Sequence, residues 1–285
     1  MYYFLCENKA DALHIKREIS EEEFLQWRKC TEQLKYYSMA NHFRDMAIQN
    51  GLEVKCFLKD LSKISDLETI RHIDTTKIAK KANRLMLNYL VSFRTFVDNI
   101  ETYSYHLKCG SKFKDNILSY MHDHEDSYCF FYKLRNFATH FSVVFDSVTV
   151  EIDHVNLICT KEHLLEYKKW NAKQLAYINS LHNNSVPILE LVESLNVLIM
   201  SAYLGFIGYF ADDLQDMHNQ VMALMHEYQI ISPFFLESKS ATNYAGAHLF
   251  GIGLNILKKA TDELAQLPNA KITFVGPDEA LTQTS

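Results

Sequence analysis

The stretch Thr76–Cys109, TKIAKKANRLMLNYLVSFRTFVDNIETYSYHLKC, contains neither glycine nor proline. Within it Ile78, Leu85, Tyr89, Phe93, Phe96 and Ile100 recur at helical spacing and form one apolar stripe. That pattern predicts a long amphipathic helix with one face in a core. Gly110 follows as the expected C-terminal stop. The same region is unusually basic. From Lys77 to Lys114, the residues Lys77, Lys80, Lys81, Arg84, Arg94, Lys108, Lys112 and Lys114 face only Asp98 and Glu101. The chain as a whole has a net charge of −6, so the segment is a local positive feature in an acidic protein. It reads either as a solvated helix face or as an anion-binding surface.

Toward the C-terminus, Ser111 can cap a helix running to about His124, and Ser127 another running to His140. The period then changes. Val143, Val144, Phe145, Val148, Val150 and Ile152, around Asp146-Ser147, predict a short β-hairpin, and Leu157–Cys159 a further strand. Helix returns at about Glu162–His182 and again from Pro187 to about Tyr228, with a break expected at Gly205 or Gly208. The end of the chain reads as a glycine-interrupted helix (Tyr244–Leu267), a strand (Ile272–Val275) and a tail. On the N-terminal side, Tyr2–Cys6 suits a short strand. Ser20 with Glu23 has capping-box spacing and opens a helix to Gly51, followed by a shorter helical piece over Phe57–Ile64.

Composition agrees with long helices. The 285 residues are 48% hydrophobic and include only 8 glycines and 4 prolines, which disfavours turn-rich β-sandwiches and barrels. The expected fold class is therefore mainly α, with a small hairpin and additional C-terminal helices. The expected division is a helical domain over 1–159 and a mainly helical extension or second domain over 160–285. The acidic balance excludes a generally nucleic-acid-coating protein. Six scattered cysteines with no C-x-x-C pair predict reduced thiols and a cytoplasmic setting. Leu195–Phe210 is apolar but interrupted by Asn196 and Ser201, and is expected as a buried helix of a protein without a membrane role.

Chemistry concentrates in Tyr132-Lys133-Leu134-Arg135-Asn136-Phe137-Ala138-Thr139-His140, which puts Arg, Asn and His near the end of an apolar helix. Arg135 and His140 lie five positions apart, ~140° around a continuous helix and ~7.5 Å along it. They would meet only if the helix broke or a second chain contributed. From the residues alone, Arg135 can also form a salt bridge to Asp98 or Glu101, and His140 can cap the helix end. Two other clusters are weaker. His122-Asp123-His124-Glu125-Asp126 reads as a solvated turn, and Asp212-Asp213 with Asp216 and His218 as an exposed helix side, so no metal site is assigned. There is no P-loop, G-x-G-x-x-G, G-x-S-x-G or H-E-x-x-H motif.

Arg135-Asn136-x-x-x-His140 at the end of an apolar helix resembles the Arg-(polar)-x-x-x-His signature of the HEPN superfamily. The long helix Asn83–Asp98 before it and the hairpin after it resemble their counterparts in bacterial members, over residues 76–155. Phe141-Ser142 stand where similar sequences often carry a glycine or proline turn. The resemblance implies a helical bundle that homodimerises and aligns two Arg/His sets in one cleft. It implies metal-independent cleavage of RNA without a cofactor, in bacterial defence or toxin–antitoxin biology, with a cognate inhibitor or regulatory protein as a further partner. It assigns Arg135, Asn136 and His140 to catalysis. The basic residues Lys77, Lys80, Lys81, Arg84 and Arg94 would then meet the RNA backbone. The alternative is a non-catalytic module of the same kind that binds RNA, a nucleotide or a protein.

Overall fold

The computed structural model describes residues 1–9, 12–64, 67–151 and 154–266. In chain order the elements are β1 (Tyr2–Lys9), β2 (Ala12–Ile19), α1 (Glu21–Leu61), α2 (Leu67–Arg71), α3 (Thr75–His106) and α4 (Gly110–Phe113). A π-helical turn, Lys114–Ser119, leads to α5 (Tyr120–His124) and α6 (Asp126–His140). Next come β3 (Ser147–Val150), β4 (Val155–Ile158), α7 (Lys161–Glu166), α8 (Ala172–Ser180), α9 (Ile188–Gly208) and α10 (Ala211–Tyr228). The last described elements are β5 (Pro233–Ser238), β6 (His248–Gly251) and α11 (Leu254–Ala265). The protein is mainly helical with a small antiparallel sheet.

Internal contacts divide the chain into two units, residues 1–39 with 206–285, and residues 40–205. Residue 159, the expected boundary, lies inside the second. The first unit is built on an antiparallel sheet of order β2-β1-β5-β6. Alternation along β1 splits its side chains between two faces. Tyr3 and Phe235 face α1, where they pack on Phe24 and Trp27. Phe4, Cys6 and Leu236 form a separate cluster on the opposite side. The strand at the start was expected. The glycine-interrupted helix expected from Tyr244 is instead β6 followed by α11; α10 ends at Tyr228 on the left-handed Gln229 (φ 50°), and β5 begins at Pro233. The strand expected at Ile272–Val275 lies outside the described residues.

In the second unit the α3 stripe is buried as expected except at its start, where Ile78 is half-buried. Leu85, Tyr89, Phe93, Phe96 and Ile100 are all in the core. Tyr89 meets Phe131 and Phe93 meets Tyr128 edge-on, so α3 and α6 share one aromatic seam. Asp74 caps α3 by accepting from the Lys77 amide. Gly110 does not end α3. The left-handed residue is Lys108 (φ 68°), while Gly110 opens α4 because a Cβ there would run into the Tyr105 ring.

Gly51 does not end α1 either. The helix runs on to Leu61, and a Cβ at Gly51 would collide with the Asn196 amide and meet the Tyr89 ring at 2.7 Å. Close approach, rather than termination, is the reason for that glycine. Helix α9 is 21 residues long and apolar enough, by length and composition, to cross a bilayer. Its polar residues are used inside the second unit: Asn196 accepts from the Tyr89 hydroxyl at 2.9 Å, Ser194 bonds Ser127, and Glu193 pairs with Lys55 and Lys59. The expected break after it falls at Gly208, with Phe210 preceding α10.

Candidate functional site

Helix α6 carries the motif, and the segment after α6 decides its setting. The hairpin exists but begins later than expected. Strand β3 starts at Ser147 and pairs with Val155–Ile158. Val143–Phe145 is an irregular segment, and Ile152 lies outside the described residues. The correction has a physical cause. Val144 and Phe145 are buried, at 2% and 3% exposure, yet their backbone groups bond a side chain instead of a strand. Asn83 on α3 accepts from the amides of Val144 and Phe145 through Oδ1 and donates from Nδ2 to the Phe145 carbonyl, each at 2.9 Å. The carbonyl of Val143 contacts His163 Nε2 at 2.9 Å. Asp146, expected in the hairpin turn, accepts instead from the Thr160 amide and hydroxyl at 2.7 and 2.8 Å, closing the hairpin's base.

Helix α6 is uninterrupted to His140 and ends on Phe141, whose amide bonds the Phe137 carbonyl. Ser142 also donates to that carbonyl, at 3.1 Å. No residue in this exit has a positive φ, so the turn forms without glycine. Because the helix does not break at His140, Arg135 and His140 leave it ~140° apart. Within one chain no hydrogen bond joins them. Arg135 is half-buried and donates to Asn136 Oδ1 at 3.2 Å, and its Nε is buried with no partner. Its backbone carbonyl accepts from Thr139 Oγ1 at 2.8 Å. His140 is exposed, and its imidazole has no hydrogen-bond partner among the described residues.

Asp98 and Glu101, the salt-bridge partners open to Arg135 from the sequence, are occupied elsewhere. Asp98 takes both nitrogens of Arg94, at 2.8 and 2.9 Å, and Glu101 takes Lys114 at 2.8 Å. The guanidinium of Arg94 also lies 3.8 Å from the centre of the Tyr132 ring. The basic residues therefore fall into two sets. Lys77, Lys80, Lys81 and Arg84 lie exposed along the N-terminal half of α3. Arg94, ten residues beyond Arg84, is ~15 Å further along the axis and held against α6. Asn83 sits level with Phe145 and Arg94 level with Tyr132, so α3 and α6 run antiparallel. Lys80 and Arg84, on either side of Asn83, thus lie at the His140 end of α6.

Behind the motif, α6 is fixed by aromatic packing. Phe137 stacks on Trp170 and meets His163 and Tyr167 edge-on. Gln174, 1% exposed, donates to the Cys129 carbonyl and thiol. Burial pushes the Cys129 thiol above its ordinary value, against a smaller opposing effect of Lys173. None of the six cysteines forms a disulfide among the described residues. The His122 cluster is a local network: its Nδ1 is 3.2 Å from Asp123 and its Nε2 3.8 Å from the Cys129 sulfur. Asp212 and Asp213 stand in the first turn of α10, and burial lowers the His218 value against the opposing charge of Asp262. Among the described residues, no group of three or more His, Cys, Asp or Glu is placed to hold a metal ion.

Sequence reasoning assigned no role to His163 or Tyr128, nor to Asn83 and Tyr132, which stand first in the stretches Asn83–Asp98 and Tyr132–His140. Asn83 had one available signal: it is a short amide on a helix face otherwise made of apolar and basic side chains. No protein-family model matches the chain, and no curated protein or solved structure matches it either.

Proposed function

We propose that the protein is a HEPN-type, metal-independent endoribonuclease that acts as a cytoplasmic homodimer in bacterial defence or toxin–antitoxin biology. The observation that carries this reading is that both motif side chains stand without a structural task. Among the described residues, Arg135 has no carboxylate partner and keeps a buried, unpaired Nε, and His140 is exposed with no hydrogen bond to its ring. A buried unpaired donor costs ~1–3 kcal/mol and calls for an explanation, and a ligand oxygen supplies one.

In this mechanism the His140 imidazole takes the proton of a ribose 2′-hydroxyl. The 2′-oxygen bonds to the adjacent phosphorus, the bond from phosphorus to the 5′-oxygen breaks, and the products are a 2′,3′-cyclic phosphate and a 5′-hydroxyl. The leaving oxygen takes its proton from an imidazolium or from water. Arg135 neutralises charge that builds on the phosphoryl oxygens, and Asn136 holds the guanidinium in place. Since one helix sends Arg135 and His140 in different directions, a two-fold axis beside α6 is needed to gather one set from each copy. Lys77, Lys80, Lys81 and Arg84, at the His140 end, supply a salt-sensitive track for the RNA backbone.

The same angular separation favours a second reading, a non-catalytic module that binds RNA, a nucleotide or a protein partner. Arg135→Ala and His140→Ala decide between them. The nuclease loses cleavage in both while its thermal unfolding is unchanged. The binding module loses at most affinity, and only through Arg135.

A further inference from the structure

A cleft of about 260 Å³ opens in the second unit between α3, the π-helical turn, α5 and α6. It lies below the ~300 Å³ floor usual for drug-sized ligands, a size suited to a single planar ring system. Tyr132 and Tyr128 line it on α6 and Val97 on α3. Tyr132 stands one turn before Asn136, about 6 Å along the helix axis, so the cleft and the motif lie along one helix. One face of the Tyr132 ring is backed by Arg94, which fixes its plane.

The cleft's polar groups are Glu101 and Lys114, paired at 2.8 Å, Ser119 on the turn, and His122 and Asp123 on α5, 3.2 Å apart. Tyr128 supplies a second observation. It is 2% exposed, its hydroxyl has no hydrogen-bond partner among the described residues, and the hydroxyl oxygen is not sealed from solvent, so it is open to a bond from an occupant of the cleft.

We propose that this cleft receives one unstacked guanine base of a single-stranded RNA. The base would lie against Tyr132, within reach of the Tyr128 hydroxyl, with its Watson–Crick edge toward Glu101 and Lys114. Recognition of single strands typically combines aromatic stacking with hydrogen bonds to an exposed base edge. The adjacent carboxylate and ammonium present acceptors beside a donor. Guanine alone among the four bases offers the complement, two neighbouring N–H donors followed by a carbonyl acceptor. The proposal rests on RNA being the substrate. It adds that the enzyme selects where along a strand the phosphate is presented to Arg135 and His140.

The test uses fluorescein-labelled uridine decamers carrying one central guanosine, adenosine or cytidine, or none. Binding is measured in EDTA with His140→Ala, and cleavage of the same strands with the unsubstituted protein. The guanosine strand should bind about tenfold more tightly than the others, the scale of one good bidentate base contact. Ser119→Phe, which fills the cleft from its turn, should abolish that preference while leaving affinity for the all-uridine strand unchanged. Tyr128→Phe, which deletes only the unpartnered hydroxyl, should reduce the preference without lowering thermal stability. Equal affinity for all four strands in a protein that still cuts RNA overturns the guanine cleft and leaves the nuclease standing. A guanine preference that survives both substitutions overturns the location. Preference without cleavage preserves the cleft and removes the nuclease. Absence of RNA binding removes both.

Discussion

Replacing Asn83 by alanine removes the amide that ties the segment after His140 to α3. Three hydrogen bonds are lost, each 2.9 Å long. The amides of Val144 and Phe145 remain in a site where those residues are 2% and 3% exposed, so water cannot readily replace the acceptor. A net hydrogen bond contributes ~1 kcal/mol, and each buried donor left unsatisfied costs ~1–3 kcal/mol. Allowing for the partial exposure of Asn83 itself, the expected loss is about 3 kcal/mol. At roughly 2–4 °C per kcal/mol for a chain of this size, Tm should fall by about 6–12 °C. Asn83→Asp keeps the acceptor for both amides but sets a carboxylate against the Phe145 carbonyl, so it should fall between wild type and Asn83→Ala. Amide hydrogen exchange provides the local readout: protection of Val144 and Phe145 should drop by about a hundredfold in Asn83→Ala. Cleavage measured well below Tm should also fall, because the exit of α6 would no longer be anchored. A Tm within about 2 °C of wild type, with unchanged protection of those two amides, would show that the latch is not what holds this segment.

Gly51→Ala should destabilise by about 1–2 kcal/mol in chemical denaturation. The ~1 kcal/mol gained in helix propensity is outweighed by forcing a methyl into Asn196 and Tyr89; a more stable variant would contradict the close packing of α1. The Lys59 and Lys55 ammonium groups hold the Glu193 carboxyl below its ordinary value. A lowered folded value gives stability that is present above the ordinary glutamate range and is lost as pH falls through the folded one. The acid limb of a stability–pH curve between about pH 5 and 3 should therefore flatten in Glu193→Gln; an unchanged limb would mean the triad is not formed in solution. Sedimentation at micromolar concentration should give a dimer, and a monomer there would count against a shared cleft.

The long helices were legible because each carries its own periodic signal. The stripe from Ile78 to Ile100 needs no distant partner to be recognised, and the structure buries all of it but the half-buried Ile78. Local misreadings have identifiable causes. Val143–Phe145 has the composition of a strand, but its backbone partners are Asn83 and His163, from α3 and α7, which no window over the segment contains. The sheet was missed beyond its first strand because β1 pairs with β5, from the other end of the chain. Strand β2 is mostly exposed, and its alternating Leu13, Ile15 and Ile19 are interrupted by the charged run Lys16-Arg17-Glu18. Gly51 and Gly110 were read as stops since sequence does not distinguish a glycine needed for φ from one needed for contact. The motif residues were visible as letters at fixed spacing. Their unpartnered state, and the antiparallel course that brings Lys80 and Arg84 toward His140, required the tertiary structure.

Cleavage of RNA by His140 and Arg135, through attack of the 2′-hydroxyl, is tested most directly by the chemical form of the fragment ends. Total RNA is incubated in EDTA with the unsubstituted protein, Arg135→Ala and His140→Ala. The unsubstituted protein should leave 2′,3′-cyclic phosphate and 5′-hydroxyl ends, and neither variant should release fragments. Fragments ending in 3′-hydroxyl, cutting that stops in EDTA, or full activity in His140→Ala would each contradict the mechanism.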